Sequence, residues 1–455
     1  MTRLLRYILL LTLLFITVGI VSAQESENIR GLHKVKRKET IFGISRMYDL
    51  TIDELLDANP EMKAPDYELK KGAILKIPFA TKDKPVVEAP KPAQPAPNEK
   101  MGISNRPIRV GVMLPLHDIN GDGRRMVEYY RGVLMACDSV KRLGISVDVH
   151  AWNMAEDANM HQILADKAAS QCDVIFGPLY SKQMEIMSTF CSEHDIQLVI
   201  PFSINAPQIA TNRHIFQIWQ SPNDINEESI AHFMAWFKDV HPVFIDCNDS
   251  TSRKGNFTMG LRKKLEERKI LYSLTNLKSG EDNFRKAFVR GKQNVVILNT
   301  QRSQELGVAF SKINGLKVTD PDLDISMFGY TEWLTYTRVH LENFYKYNTY
   351  IPSTFYYNPL SPSTMRLQQA FRMNFRSDMQ NVQPRFALTG FDQAYFFLRG
   401  LHKYGKTFNG ARGMLGYNPV QTPLQFERFD TGGQKNKMIM FVHYTPDHRV
   451  ETIRF

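Results

Sequence analysis

The chain has 455 residues, a formal charge of +10 and 43% apolar residues. That is long enough for two or three domains and apolar enough to fill their cores. Its 12 histidines and 4 cysteines show no C-x-x-C, no H-x-x-x-H and no other metal-ligand spacing, so no metal site is expected. No stretch combines clustered Lys and Arg with stacking aromatics, so no nucleic-acid partner is expected.

Residues 1–23 have the three parts of a secretory signal. Arg3 and Arg6 precede an apolar run from Ile8 to Ile20, and Val21-Ser22-Ala23 ends in the small-x-small pattern that predicts cleavage after Ala23. The apolar run is shorter than the roughly 20 residues of a spanning helix. The first cysteine is Cys137, so no lipid-acceptor cysteine follows the signal. The expectation is an exported, soluble protein of the periplasm or cell envelope. Cys137, Cys172, Cys191 and Cys247 read as buried thiols, and one disulfide would be compatible with an oxidising compartment.

Residues 30–79 predict a compact βααβ module. HKVKR alternates like a strand, Ile41, Ile44 and Met47 share one helical face, and AILKIP reads as the closing strand. Thr51 and Glu54 have the spacing of a capping box for the helix IDELLDA, which Asn59-Pro60 ends.

This stretch resembles the LysM domain through Val35, Thr40, Ile44, Tyr48, Leu55, Asn59, Pro60, Leu75, Ile77 and Pro78. The resemblance implies binding of N-acetylglucosamine-containing glycan, hence peptidoglycan. The groove it implies runs between Glu39, Thr40, Ile41 and Phe42 on one side and Asn59, Pro60, Glu61 and Met62 on the other. The Gly-Asp that the family carries before the threonine is Lys38-Glu39 here.

Residues 80–106 hold five prolines and no apolar period. They read as a semi-rigid linker extending roughly 3 Å per residue.

From 107 to 455 the pattern is α/β. IRVGVMLP, ISVDVHAW, DVIFGP, IQLVIP, PVFIDC, NVVILN and DISMFG read as strands. DANMHQILADKAAS, FTMGLRKKLEERK, SQELGVAFSKING and the aromatic RFALTGFDQAYFFLRGLHKYG read as helices. The tail, FERFDTGGQKNKMIMFVHY with HRVETIRF, alternates like an antiparallel hairpin. Around Asp173–Asn205 a strand, a helix and a strand form a right-handed βαβ unit. Ligands of open α/β sheets bind beyond the carboxyl ends of such strands, which here carry Gly177-Pro178-Leu179-Tyr180-Ser181 and Phe202-Ser203-Ile204-Asn205.

IRVGVMLPL, VIFGPLYS, IPFSINAP, FQIWQSPND and ALTGFDQAYF together resemble the type I periplasmic-binding-protein fold, in its Leu/Ile/Val-binding branch. The resemblance implies two Rossmann-like lobes, about 107–220 with 351–410 and about 221–350 with part of the tail. It implies a ligand cleft at Tyr180, Ser181, Ser203 and Asn205 on the first lobe. On the second lobe the cleft would use Asn248, Thr300 and Arg302. An ammonium-binding acid is expected after NVVILN, where Thr300-Gln301-Arg302-Ser303 contains none. Arg302, facing the cleft, would suit a small anionic or peptide-like ligand. Asp246, Asn248, Asp249 and Ser250 lie at another strand end, and Asp392 reads as a partner of loop backbone near the hinge.

No Walker loop, dinucleotide fingerprint, G-x-S-x-G or catalytic cysteine motif occurs, and no cofactor is expected. The combined reading is a non-enzymatic envelope protein that holds peptidoglycan and binds a ligand or partner between two lobes. The alternatives are a platform for cell-wall synthesis proteins with a vestigial cleft, a cell-wall hydrolase, and a solute receptor for a transporter.

Overall fold

A computed structural model describes residues 29–36, 39–48, 50, 52–63, 67, 69–78, 102–203 and 205–455. The signal segment, most of the linker, Lys38, Thr51 of the expected capping box and Ile204 lie outside the described residues. The chain divides into two compact units, Met1–Asn98 and Glu99–Phe455.

The small unit contains β1 (Ile29–Lys34), α1 (Ile41–Met47), α2 (Ile52–Asp57) and β2 (Ile74–Pro78). β1 and β2 pair antiparallel. Both helices turn one apolar face inward, burying Ile44 and Leu55 against Val35, Leu50, Met62, Leu75 and Ile77. That core is small, so the hydrogen bonds around it carry much of its order.

The large unit begins with β3 (Ile108–Leu114), α3 (Gly121–Lys141), β4 (Val147–Asn153), β5 (Val174–Phe176), α4 (Met184–Glu193), β6 (Gln197–Ile200) and β7 (Ile215–Gln217). It continues with α5 (Pro222–Trp236), β8 (His241–Asp246), α6 (Gly255–Glu267), β9 (Ser273–Asn276), β10 (Gln293–Leu298), α7 (Ser303–Thr319), β11 (Asp324–Phe328), α8 (Thr337–Lys346) and β12 (Thr349–Ser353). The last elements are α9 (Pro362–Phe375), α10 (Phe386–Tyr404), β13 (Phe426–Arg428), β14 (Gln434–Asn436), β15 (Met440–Tyr444) and β16 (Val450–Arg454).

Two seven-stranded sheets form, in the orders β13-β14-β7-β6-β5-β3-β4 and β16-β15-β12-β11-β10-β8-β9. Within each sheet the first five strands of the lobe are parallel, with the earliest one internal. Strand order therefore switches at β3/β5 in lobe 1 and at β8/β10 in lobe 2, the positions where such sheets open a crevice. The chain crosses between lobes after β7, after β12 and between β14 and β15. The first two crossovers leave the carboxyl ends of their strands, so both crevices open toward the hinge.

Several elements differ from the sequence expectation. β1 spans Ile29–Lys34, so it overlaps the expected HKVKR strand only at His33 and Lys34. DANMHQILADKAAS is two short helices, Met160–Leu164 and Lys167–Ser170, because Asp166 caps the second by accepting from Ala168 N–H at 2.9 Å. The tail is two hairpins rather than one. β13 and β14 extend the lobe 1 sheet, while β15 pairs with β12 in lobe 2. Lobe 1 accordingly resumes after Ser353, not at 351, and runs through Asn436, past 410.

Lobe 1 is held by α3 crossing α10 at backbone distance. A Cβ on Gly132 would lie 1.9 Å from the Ala387 carbonyl oxygen, and one on Gly390 would lie 2.1 Å from that of Tyr129. The Tyr129 hydroxyl donates to Gln393 Oε1 at 2.6 Å across the same contact. Lobe 2 is packed by aromatic rings, with Phe328 against Phe233, Phe257 and Phe441.

Candidate functional site

In the small unit, the expected groove residues divide into exposed groups and groups engaged in the fold. Thr40 is exposed, and its hydroxyl accepts from Gly43 N–H at 3.0 Å, capping α1. Glu39 accepts from Lys36 N–H at 2.7 Å and from His33 Nε2 at 2.9 Å. Those contacts, the Lys36 N–H first, hold its carboxyl below the usual range. The other nitrogen of His33 meets the Tyr48 hydroxyl at 2.9 Å. A Tyr48–His33–Glu39 chain therefore ties the residue before Thr40 to β1 and to the end of α1. Ile41 is half-buried at the edge of the core, and Phe42 lies on α1.

Across from them, Pro60 and Glu61 are exposed. Asn59 is 0% exposed, and its amide bonds Leu55 O, Lys76 O and Lys76 N–H at 2.8, 2.8 and 2.7 Å. Met62 is buried in the core. The side chains of Asn59 and Met62 thus build the turn, leaving Pro60 and Glu61 outermost.

In lobe 1 the lip forms because β5 ends at Gly177. Its φ is +134°, and a Cβ there would lie 2.1 Å from the Met113 carbonyl oxygen, so only glycine fits. The chain then turns so that Ser181 Oγ stands 3.5 Å from Ser203 Oγ, with Asn205 N–H donating to Ser203 Oγ at 3.2 Å. The Tyr180 hydroxyl donates to Asp122 at 3.4 Å, and burial and then Asp122 push its pKa up. Asn205 is exposed.

In lobe 2 the loops after β8 and β10 are tied together by Asp249. Its side chain is 1% exposed. It accepts from the Thr251 hydroxyl at 2.6 Å, the Thr251 N–H at 3.0 Å and the Thr300 hydroxyl at 2.7 Å. Those bonds, led by the Thr251 hydroxyl, hold its carboxyl down at about 2. Arg302 lies 3.7 Å from Asp249 and 3.4 Å from Glu305, so its charge already has partners. Thr300 is fully buried beneath it. Asn248 adopts φ 55° and pairs with Asn276 of the edge strand through bonds of 2.9 and 3.1 Å.

The comparisons with known proteins follow the two units. The family model of the LysM domain matches residues 33–78. Those residues are a LysM domain. A branched-chain amino acid ABC transporter protein from Rhodospirillum rubrum is 13% identical, with a TM-score of 0.52 over 76% of this chain and 100% of its own. An ABC transporter substrate-binding protein from Desulfitobacterium hafniense, in complex with Leu, is 14% identical with a TM-score of 0.41 over 76% and 100%. Full-length LpoA from Haemophilus influenzae is 12% identical with a TM-score of 0.47 over 77% of this chain and 60% of its own. The first of the three carries the fold: two lobes of the type I periplasmic-binding kind. No curated protein matches the chain.

Ser181 and Ser203 come together on one lip, joined by the Asn205 backbone. Thr300 and Arg302 come together through Asp249, while the Asn248 side chain bonds to Asn276. The expected acid is absent from the β10 loop, and Asp249 of the β8 loop accepts from Thr300 there instead. Only its position at a strand end signalled it, since the partner hydroxyls come from Thr251 and Thr300. Asp392, 1% exposed, accepts from Val420, Gln421 and Thr422 N–H at 2.8, 2.8 and 2.7 Å. Among the described residues, all four cysteines are free and no group of three or more His, Cys, Asp or Glu could hold a metal. No helix among them is long and apolar enough to cross a membrane.

Proposed function

We propose that this chain is an exported, non-enzymatic cell-envelope protein that binds peptidoglycan through its LysM domain and a small ligand or protein partner between its two lobes. The match of the LysM family to 33–78 carries the first half. The signal-like residues 1–23 support export. The glycan would lie over Thr40, Ile41 and Phe42 on one side and Pro60 and Glu61 on the other, with Asn59 and Met62 holding the second wall from behind.

The Ser181–Ser203 hydroxyl pair, beside the tight turn that Gly177 makes, supports a ligand in the cleft that offers a carboxylate or similar acceptor to lobe 1. Lobe 2 favours a second reading. Asp249 and Glu305 each pair with Arg302, and Lys254 pairs with Glu332 at 2.8 Å. Charges paired within the protein suit a vestigial cleft on a platform for cell-wall synthesis proteins.

Native mass spectrometry of the purified chain, followed by thermal shifts with amino acids, peptides and muropeptides, separates the two readings. A copurifying ligand, or a melting temperature that rises with the logarithm of ligand concentration, supports the cleft. A bare mass with no shift supports the platform, and cross-linking in cells to a wall synthase would then be the expected result.

A further inference from the structure

We propose that lobe 1 carries a second ligand site at the opposite edge of its sheet, for an oxyanion, phosphate or carboxylate, on a molecule that also offers a hydroxyl or amide N–H. β5, β6, β7 and β14 run parallel, so Ser181 and Ser203 lie at their carboxyl ends. The starts of β6, β7 and β14 lie across the sheet, with four-residue β6 alone spanning about 13 Å. There a cavity of about 380 Å³ opens among Arg213, Lys406, Arg428, Gln197, Phe216 and Phe408, within the roughly 300–1,000 Å³ range of small-molecule sites.

The charges in this cavity are unbalanced. Among the described residues, the Arg428 side chain has no hydrogen-bond or ion-pair partner, and the Arg213 guanidinium has one hydrogen bond, from Nε to His214 Nε2 at 3.4 Å. An imidazole that accepts at Nε2 is neutral, and burial also lowers the His214 pKa. Asp195 brings the carboxylate at this rim. It lies 3.6 Å from His214 Nδ1 and 3.9 Å from Lys406, which also donates to its carbonyl oxygen. Two guanidinium groups therefore remain for an oxyanion, the group whose geometry they match best.

The floor supplies the second requirement. Gln197 is 4% exposed. Its Nε2 donates to Phe408 O at 3.0 Å, while its Oε1 has no partner. A buried acceptor left open favours a ligand that brings a donor, and a bare anion brings none. Phe216 and Phe408 supply apolar walls for the rest of such a molecule.

Isothermal titration of the full chain with glycerol phosphate and with N-acetylmuramic acid tests this site. Both probes pair an oxyanion with donors, and the arm that saturates distinguishes a phosphate from a carboxylate source. Arg213→Ala and Arg428→Ala should each weaken binding by at least about tenfold, as expected for one lost charge-assisted bond. Methyl phosphate, which lacks the donor, should bind more weakly than glycerol phosphate. The Ser181→Ala/Ser203→Ala pair should leave binding unchanged, and unaltered melting of the arginine variants shows that they fold. The proposal fails if neither probe saturates, if both arginine variants bind as the parent does, or if the serine pair abolishes binding.

Discussion

The Asn59 side chain pairs with both backbone groups of Lys76, accepting from its N–H at 2.7 Å and donating to its carbonyl at 2.8 Å. A third bond, to Leu55 O at 2.8 Å, ties the end of α2 to the closing strand. One buried amide thus replaces strand pairing on that side of a very small core. Each buried group left unbonded costs about 1–3 kcal/mol, a large share of what a module of this size can hold. Asn59→Ala should unfold the LysM domain while the large unit stays folded. Hydrogen exchange resolved by mass spectrometry should show fast exchange over 33–78 and unchanged protection in the sheets of both lobes.

Gly390 permits the α3–α10 contact, since a Cβ would lie 2.1 Å from the Tyr129 carbonyl oxygen. Backbone cannot yield as a flexible side chain does. Gly390→Ala should destabilise the large unit by about 1–3 kcal/mol or more, read as a lower denaturant midpoint. Gly315→Ala, on α7 with nothing within 4 Å of its Cβ, should leave the midpoint unchanged or raise it.

Asp392 is a buried carboxyl whose pKa burial pushes up from 3.8 to about 6, against the three backbone N–H groups it accepts from. A folded-state pKa above the unfolded one means that the native protein binds the proton more tightly. The stability this group contributes is present below pH 3.8 and is lost as pH rises through about 6. The stability difference between the parent and Asp392→Asn should therefore shift by on the order of 1–3 kcal/mol between those limits, in favour of the parent at the acid end. Denaturant melts at both ends of the window check the sign. A difference that does not change with pH contradicts it.

β3, β5, β6, β8, β10, β11 and the βαβ unit were legible because buried parallel strands read as unbroken apolar runs. β7 and β12, buried as well, were not, because β7 has three residues and Thr349, Pro352 and Ser353 interrupt the apolar run of β12. β9, reading Ser-Leu-Thr-Asn, was not, because an edge strand with exposed residues has no such run. The division of the tail was hidden for a different reason. FERF and MFVHY alternate alike, and only tertiary pairing, with β7 through β14 in one case and with β12 in the other, assigns them to different lobes. At the site, Ser181 and Ser203 could be read from strand ends. The joining of Asp249, Thr300 and Arg302 could not, because it links loops 51 residues apart. Asn59 belonged to the recognised turn, yet nothing in the pattern indicated that its amide faces inward.

Co-sedimentation with purified peptidoglycan sacculi decides whether the LysM domain holds this protein to the wall. The full chain should pellet with sacculi, and a chain lacking residues 33–78 should stay in the supernatant. Equal pelleting of the two would contradict it.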